Sequence, residues 1–347
     1  MGEHEIDPRA RPVTRRALLR GGLGGLLVAA GSLAGCTTPW RGVPSPAAPD
    51  PAATWQPTPP ASPTSVPRPT LPRTPTVARP PGPPPAIGAH SAIVWDATRR
   101  VELYAKAPDA RVVPASTTKI VSALLVLEHV RLDRPVRIAP VDVALPEDES
   151  RMATPPGDVL AAGDTLTCED LLFGMLLASG ADAARAAARA VGEMLLGGQP
   201  GNPLARFVRE MNAHVAALGL VNSHFVNPDG YEEANQYSSA RDLLLLTDRA
   251  MERPEFAAIV ATKTAVRRTL DGRKTFALEN TNQLLGTRAG VHGVKTGTAG
   301  VNLEWECLIS AQWTPVGRLL AVVLGSSQGQ RYTDTVALLD WANTGYH

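Results

Sequence analysis

β-Branched and aromatic residues crowd SAIVWD, and apolar positions alternate with polar ones in VELYAK. With the polar ATRR between them, the run predicts two short strands around a turn. A helical pattern takes over in RVVPASTTKIVSALLVLEHV, where Ile120 to Val130 form an apolar helix fronted by Ser116, two Thr and Lys119. After the polar stretch ALPEDESRMATPPGD, helices are predicted at CEDLLFGMLLASG, ADAARAAARAVGEMLL, LARFVREMNAHVAALG and SARDLLLLTDRAME. Three strand-like runs, VHGVKTG, WECLISAQW and RLLAVVLGS, and a last helix, TDTVALLDWANTG, close the chain. Strands at both ends with helices between them predict one sheet, completed by the C-terminal strands and packed by the first and last helices. Residues 88–347 suffice for a single domain of two lobes.

The regular patterns do not reach the N-terminus. Thr14-Arg15-Arg16-Ala17-Leu18-Leu19-Arg20 looks like a twin-arginine export signal, and the Gly- and Ala-rich apolar run after it is too short to span a bilayer well. That run ends in Leu33-Ala34-Gly35-Cys36, which resembles a bacterial lipobox. Residues 1–35 are therefore expected to be a lipoprotein signal peptide and Cys36 the lipidated end; the alternative is a signal peptide that merely ends near a Cys. Residues 36–87 are dominated by Pro, which favours extended polyproline II at about 3.1 Å per residue and supplies no core. Such a linker holds a domain up to roughly 150 Å from a membrane anchor.

Composition adds little beyond this. The 347 residues are 44% hydrophobic with a net charge of +1, so an ordinary core can form and nothing in the charge balance calls for nucleic acid. Beyond Cys36 only Cys168 and Cys307 remain, and spacing cannot show whether they pair or sit as small buried apolar side chains. No metal-binding pattern or phosphate-cradling loop is present, and no cofactor is expected.

Three short motifs carry candidate chemistry. Ser116 and Lys119, three apart at a helix start, share a face, so the amine can accept the hydroxyl proton; Ser116 can equally be a plain N-cap. Only five of the 34 basic residues are Lys, and two of the five fall in Ser116-x-x-Lys119 and Lys295-Thr296-Gly297-Thr298. Lys can lose its proton when buried or crowded, whereas Arg stays charged. On the predicted strand Lys295 and Gly297 face one side and Thr296 and Thr298 the other, with Gly297 admitting a substrate backbone. Ser179-Gly180 ends an apolar helix, either as a hydroxyl facing a cleft or as a helix stop. A rival, Gly325-Ser326-Ser327-Gln328-Gly329, fits a nucleophile elbow, but only Asp340 and His347 follow it, and it reads as a strand-to-helix loop. His292 reads as a strand surface or packing residue.

The order Ser-x-x-Lys, Ser-Gly, Lys-Thr-Gly, together with PASTTKI, LTCEDLLFGMLLASGADAA, NPDGYEEANQYSSARDL and NTNQLL before HGVKTGT, resembles the serine-type D-alanyl-D-alanine carboxypeptidases, the low-molecular-mass penicillin-binding proteins. The resemblance implies an α/β (α+β) fold of the β-lactamase/DD-peptidase kind, an antiparallel sheet flanked by helices with an inserted all-helical lobe. It implies that Ser116 attacks the penultimate D-Ala carbonyl of a peptidoglycan stem peptide, with Lys119 as base and Ser179 relaying the proton. Lys295, Thr296 and Thr298 would hold the terminal carboxylate, and the backbone N–H groups of Ser116 and Thr298 the oxyanion; a β-lactam would form a slowly released adduct. The expected protein is a monomer, anchored by lipid to the outer face of the membrane and facing the wall.

The chain departs from the family at two residues, and is expected to lack the C-terminal β-domain and amphipathic anchor of some relatives. Ala181 stands where the middle motif usually has Asn, and Gln236 where a His is common. The missing amide leaves open a catalytically weak stem-peptide-binding lipoprotein. A serine β-lactamase shares the nucleophile but needs a carboxylate for deacylation, and no E-x-x-L-N segment is present. Carboxypeptidase against endopeptidase action is also open.

Overall fold

The computed structural model describes residues 80–300, 304–315, 317–327 and 329–346. The twin-arginine segment, Cys36 and most of the Pro-rich linker lie outside the described residues. Two antiparallel strands come first, β1 (Ser91–Asp96) and β2 (Val101–Lys106). A 3-10 turn at Ala115–Thr118 leads into α1 (Lys119–His129). Then follow β3 (Pro135–Arg137), α2 (Pro140–Val143), β4 (Thr165–Thr167), α3 (Cys168–Leu176), α4 (Ala181–Leu196), α5 (Pro203–Ala217), α6 (Ala240–Met251) and α7 (Pro254–Val260). The chain returns through β5 (Thr264–Arg268), β6 (Thr275–Glu279), β7 (Val291–Ala299), β8 (Trp305–Thr314) and β9 (Gly317–Ser326) to α8 (Gln330–Asn343).

The main sheet has the order β2-β1-β9-β8-β7, with every pairing antiparallel. N-terminal and C-terminal strands meet at β1–β9, where Ile93 pairs with Val322, as strands at both ends of the domain require. The central strands are covered on both faces, which is why SAIVWD reads as a nearly unbroken apolar run. Period-two alternation sorts them: Ala92, Val94, Leu319, Ala321 and Val323 pack with Leu338, Leu339 and Ala342 of α8. Ile93, Trp95, Leu320, Val322 and Leu324 join the larger core on the other side, shared with α1, α3, α4 and α6. There α6 and the Ala115–Thr118 turn lie against the sheet, while α1, buried at nine of its eleven positions, sits between them and the helical lobe. The last helix packs the sheet as expected; the first is instead the hub joining sheet and lobe.

Two small hairpins, β3–β4 and β5–β6, and the helix α7 were not expected. Three-residue strands carry too little pattern to see, and α7 holds only two turns behind a Pro. The tail of the linker touches the domain: Lys106 Nζ donates to the Ile87 carbonyl at 3.0 Å and Trp341 Nε1 to that of Gly82 at 3.4 Å.

Cys168 opens α3 and Cys307 lies in β8; both are free and buried. Burial pushes the Cys168 thiol up to about 11 and the Cys307 thiol up to about 12. With so little thiolate at neutral pH, alkylation mapped by mass spectrometry should leave both unmodified in the folded protein and label both after denaturation.

Candidate active site

The backbone turn before α1 does not use Ser116 as a helix cap. Pro114 begins the 3-10 turn, Ala115 is held at φ +47°, and neither that turn nor α1 takes a side-chain cap. The Ser116 hydroxyl instead meets Lys119 Nζ at 2.9 Å. An Ala at positive φ costs on the order of 1–2 kcal/mol, so the surrounding contacts must hold the turn in place. Ser116 is half-buried on a cleft of about 590 Å³, while Lys119 behind it is fully buried.

A buried amine needs acceptors, and Lys119 finds its second in the Asp229 carbonyl at 2.6 Å. That carbonyl belongs to the Asn-Pro-Asp-Gly loop, residues 227–230, which the lobe and the sheet side hold jointly. Arg185 of α4 pairs with Asp229 Oδ2 at 2.5 Å. Gln236 uses its whole amide on the loop: Oε1 accepts from the N–H groups of Val226 and Asn227, and Nε2 donates to Asn227 Oδ1 and the Tyr231 carbonyl. Ser122, one turn along α1, donates to the Pro228 carbonyl at 2.6 Å. Gly230, at φ +90°, lies so close to the Ser116 turn that a Cβ would overlap the Ala115 carbonyl oxygen.

Ala181 carries no amide, yet Lys119 still has its two oxygen partners. Asp182 does not stand in for Asn: its Oδ1 accepts from the N–H groups of Met152 and Ala183, both at 2.8 Å, tying the 150–152 segment to α4. Desolvation lowers the Lys119 proton affinity below the ordinary Lys value, against the opposing pull of the Asp229, Glu149 and Asp182 carboxylates.

Ser179 lies past the end of α3 at φ +62°, a conformation that a plain helix stop would give to Gly. Its hydroxyl accepts from Lys295 Nζ at 2.9 Å. Lys295 is buried in β7, and desolvation, then the nearby Lys119 and Arg331 charges, hold it well below its ordinary value. On the opposite side of β7, Thr296 Oγ1 meets Thr281 Oγ1 at 2.6 Å and the exposed Thr298 Oγ1 accepts from Arg331 Nη1 at 3.0 Å. The alternation expected for this strand therefore holds. Gly297 lines the cleft and also lets β7 approach the Ser116 turn, since a Cβ would lie 3.2 Å from the Ala115 Cβ and 3.3 Å from the Pro114 carbonyl.

Ser116, Ser179, Thr296, Gly297 and Thr298 line one cleft, with Lys119 and Lys295 behind them. A nucleophile with an adjacent amine, a second hydroxyl-amine pair and an anion-binding wall can carry out acyl transfer. The elbow rival does not reach the cleft lining: Ser326 Oγ donates to Asp334 at 2.8 Å and Ser327 Oγ to Gln330 at 2.5 Å, while Asp340 pairs with Arg288. Gln328 and His347 lie outside the described residues. His292 is exposed beside Trp313, with ring centroids 6.4 Å apart.

The D-alanyl-D-alanine carboxypeptidase family model, peptidase S11, matches residues 76–328. The chain belongs to that family. Within it, a D-alanyl-D-alanine carboxypeptidase of Streptomyces sp. (strain K15) is 32% identical over 263 residues, 74% of this chain and 88% of the relative. The carboxypeptidase DacF of Bacillus subtilis is 32% identical over 260 residues, and the match spans 63% of its length. The crystal structure of the Streptomyces K15 DD-transpeptidase superposes with a TM-score of 0.66 at 31% identity, covering 76% of this chain and 99% of that one. Penicillin-binding protein D2 of Listeria monocytogenes, in an ampicillin-bound form, gives 0.61 at 25% identity, covering 77% and 100%. The antiparallel sheet with its inserted helical lobe is thus the fold of the penicillin-binding proteins.

Four groups in or behind the cleft of this family member were not singled out from sequence. Asp229 and Arg185 act through a carbonyl and an ion pair formed only in the fold. Glu149, in the polar stretch before α3, lines the cleft, and desolvation raises its carboxyl above the usual range. Arg331 comes from α8, one of many Arg in the chain and in no short motif. Gly230→Ala should lower the melting temperature and slow reaction at Ser116 by at least tenfold, because the new Cβ displaces the Ala115 carbonyl. Calorimetry and a serine-directed acylating probe read the two effects.

Proposed function

We propose that this chain is a penicillin-sensitive serine D-alanyl-D-alanine carboxypeptidase that removes the terminal D-Ala from peptidoglycan stem peptides, exported as a monomer and held to the membrane through lipidated Cys36. The observation that carries the reading is the 2.9 Å contact of Lys119 Nζ with Ser116 Oγ, in a cleft whose other wall is Lys295-Thr296-Gly297-Thr298.

Neutral Lys119 takes the Ser116 proton as Oγ attacks the penultimate carbonyl, and desolvation makes that neutral form accessible. The backbone N–H groups of Ser116 and Thr298 receive the oxyanion. As the C–N bond breaks, the proton passes to the departing D-Ala amine through Ser179, which Lys295 orients. The terminal carboxylate lies at the cationic wall, with Thr298 Oγ1 and the Arg331 guanidinium as donors. Water then attacks the ester carbonyl, the C–Oγ bond breaks and Ser116 regains its proton. The weak-binder alternative rests on Ala181, and against it Lys119 keeps a second oxygen partner in the Asp229 carbonyl without an amide at that position.

The β-lactamase reading gains one observation, the Glu149 carboxyl in the cleft. A persistent penicillin adduct excludes it; turnover within seconds, slowed by Glu149→Gln, would replace the carboxypeptidase reading.

A fluorescent penicillin should label the wild-type protein at Ser116 and leave Ser116→Ala unlabelled, and D-Ala release from a peptide ending in D-Ala-D-Ala should vanish in the same variant. Absence of both labelling and release from the wild type would overturn the proposal. Acylation should speed up as pH rises and Lys119 loses its proton, with a midpoint below the ordinary Lys value of 10.5. Lys119→Arg, which stays protonated, should reduce the rate by at least 10²-fold.

A further inference from the structure

Glu306 is a buried carboxylate with no part in the chemistry above, and its surroundings connect it to the cleft. It stands directly across the β7–β8 ladder from Thr298, only 7% exposed. Register between β8 and β9 shifts at Glu306/Cys307, a bulge that re-aims adjacent side chains. Cys307 turns toward the Val113 carbonyl, while Glu306 turns toward the start of α8. There Glu306 Oε2 accepts from the Gly329 N–H at 2.7 Å and lies 3.7 Å from Arg331 Nε.

Arg331 is held from both ends. Its Nη1 donates to the Gly297 carbonyl and to Thr298 Oγ1, each at 3.0 Å, and its side chain is 14% exposed. Its Nε is buried with no hydrogen-bond partner among the described residues, and Glu306 faces that end of the guanidinium with its charge. A long Arg side chain loses substantial rotamer entropy when fixed, and a fixed orientation needs a compensating contact. Glu306 supplies one from behind and also anchors the first turn of α8, from which Arg331 projects.

We propose that Glu306 is a positioning residue: by pairing with Arg331 and the head of α8, it holds the guanidinium against Thr298 and so sets how tightly the cleft takes the carboxylate end of its substrate. The inference rests on the carboxypeptidase reading and concerns a residue that does not touch substrate. A purely structural cap would affect the melting temperature and all ligands alike. A positioning role affects the carboxylate alone.

The experiment compares Glu306→Gln and Glu306→Ala with the wild type. Gln keeps the length and an acceptor for the Gly329 N–H but removes the charge facing Arg331. For D-Ala release from an acylated tripeptide ending in D-Ala-D-Ala, KM should rise about tenfold in Glu306→Ala and about threefold in Glu306→Gln, with kcat within about twofold. The same tripeptide as its C-terminal amide, used as a competitor of fluorescent penicillin, should compete equally well with all three proteins. Glu306→Gln should melt near the wild-type temperature, so its effect on KM is not one of folding. An unchanged KM in Glu306→Gln would overturn the proposal, as would a parallel loss of affinity for acid and amide. Failure of the carboxypeptidase reading itself looks different, since the wild type would then neither label nor release D-Ala.

Discussion

An amine with no exposure to water must be given oxygen partners by the fold, and Lys119 has two, Ser116 Oγ and the Asp229 carbonyl. Most of what surrounds the cleft follows from that requirement. The Asp229 carbonyl is useful only if its loop is rigid, and Arg185, Gln236 and Ser122 bond Asp229, Asn227 and Pro228 of the loop in turn. The loop can reach only because Gly230 has no side chain, and β7 can close on the same turn only because Gly297 has none. The burial that makes these partners obligatory also lowers the Lys119 proton affinity, so packing and chemistry are one constraint.

A second buried amine, Lys295, repeats the arrangement across the cleft with Ser179 as its partner. Two lysines and Arg331 in one small volume repel one another, which favours an anionic ligand group and discourages full protonation of both amines. Glu149 at the cleft wall and Glu306 behind Arg331 moderate that field. Two residues beside the chemistry, Ala115 and Ser179, sit at positive φ without being Gly. Such conformations persist where neighbouring contacts over-determine them, and here they aim the two hydroxyl side chains that meet lysines.

Much of the fold was legible because its long elements carry strong periodic patterns. The two opening strands, α3 to α6, the closing strands and α8 were each readable from local spacing, and strands at both ends implied the joined sheet. The hairpin β3–β4 was not, since a three-residue strand is below the length at which alternation is visible, and neither was β5–β6, whose five-residue strands include the mostly polar TAVRR. In the site, Ser116, Lys119, Ser179 and the Lys295–Thr298 strand were readable as motifs because each is compact in sequence. Glu149, Arg185, Glu306 and Arg331 were not, because nothing local distinguishes them from other charges in an Arg-rich chain, and Asp229, though within a family-like segment, meets Lys119 through a backbone carbonyl that no side-chain pattern marks.

The sequence by itself determined the order of the long elements, the pairing of Ser116 with Lys119 on one helix face and the strand face on which each residue from Lys295 to Thr298 lies. Those are consequences of local geometry: helix period, strand period and the spacing of Ser from Lys. Only the tertiary structure decided what each buried polar atom bonds to. Lys119 and the Asp229 carbonyl are 110 positions apart, and Lys295 and Ser179 116 positions apart, so no periodicity links them. It also decided that Lys119 has two oxygen partners with Ala at position 181, because one of them is a backbone carbonyl, which every residue carries.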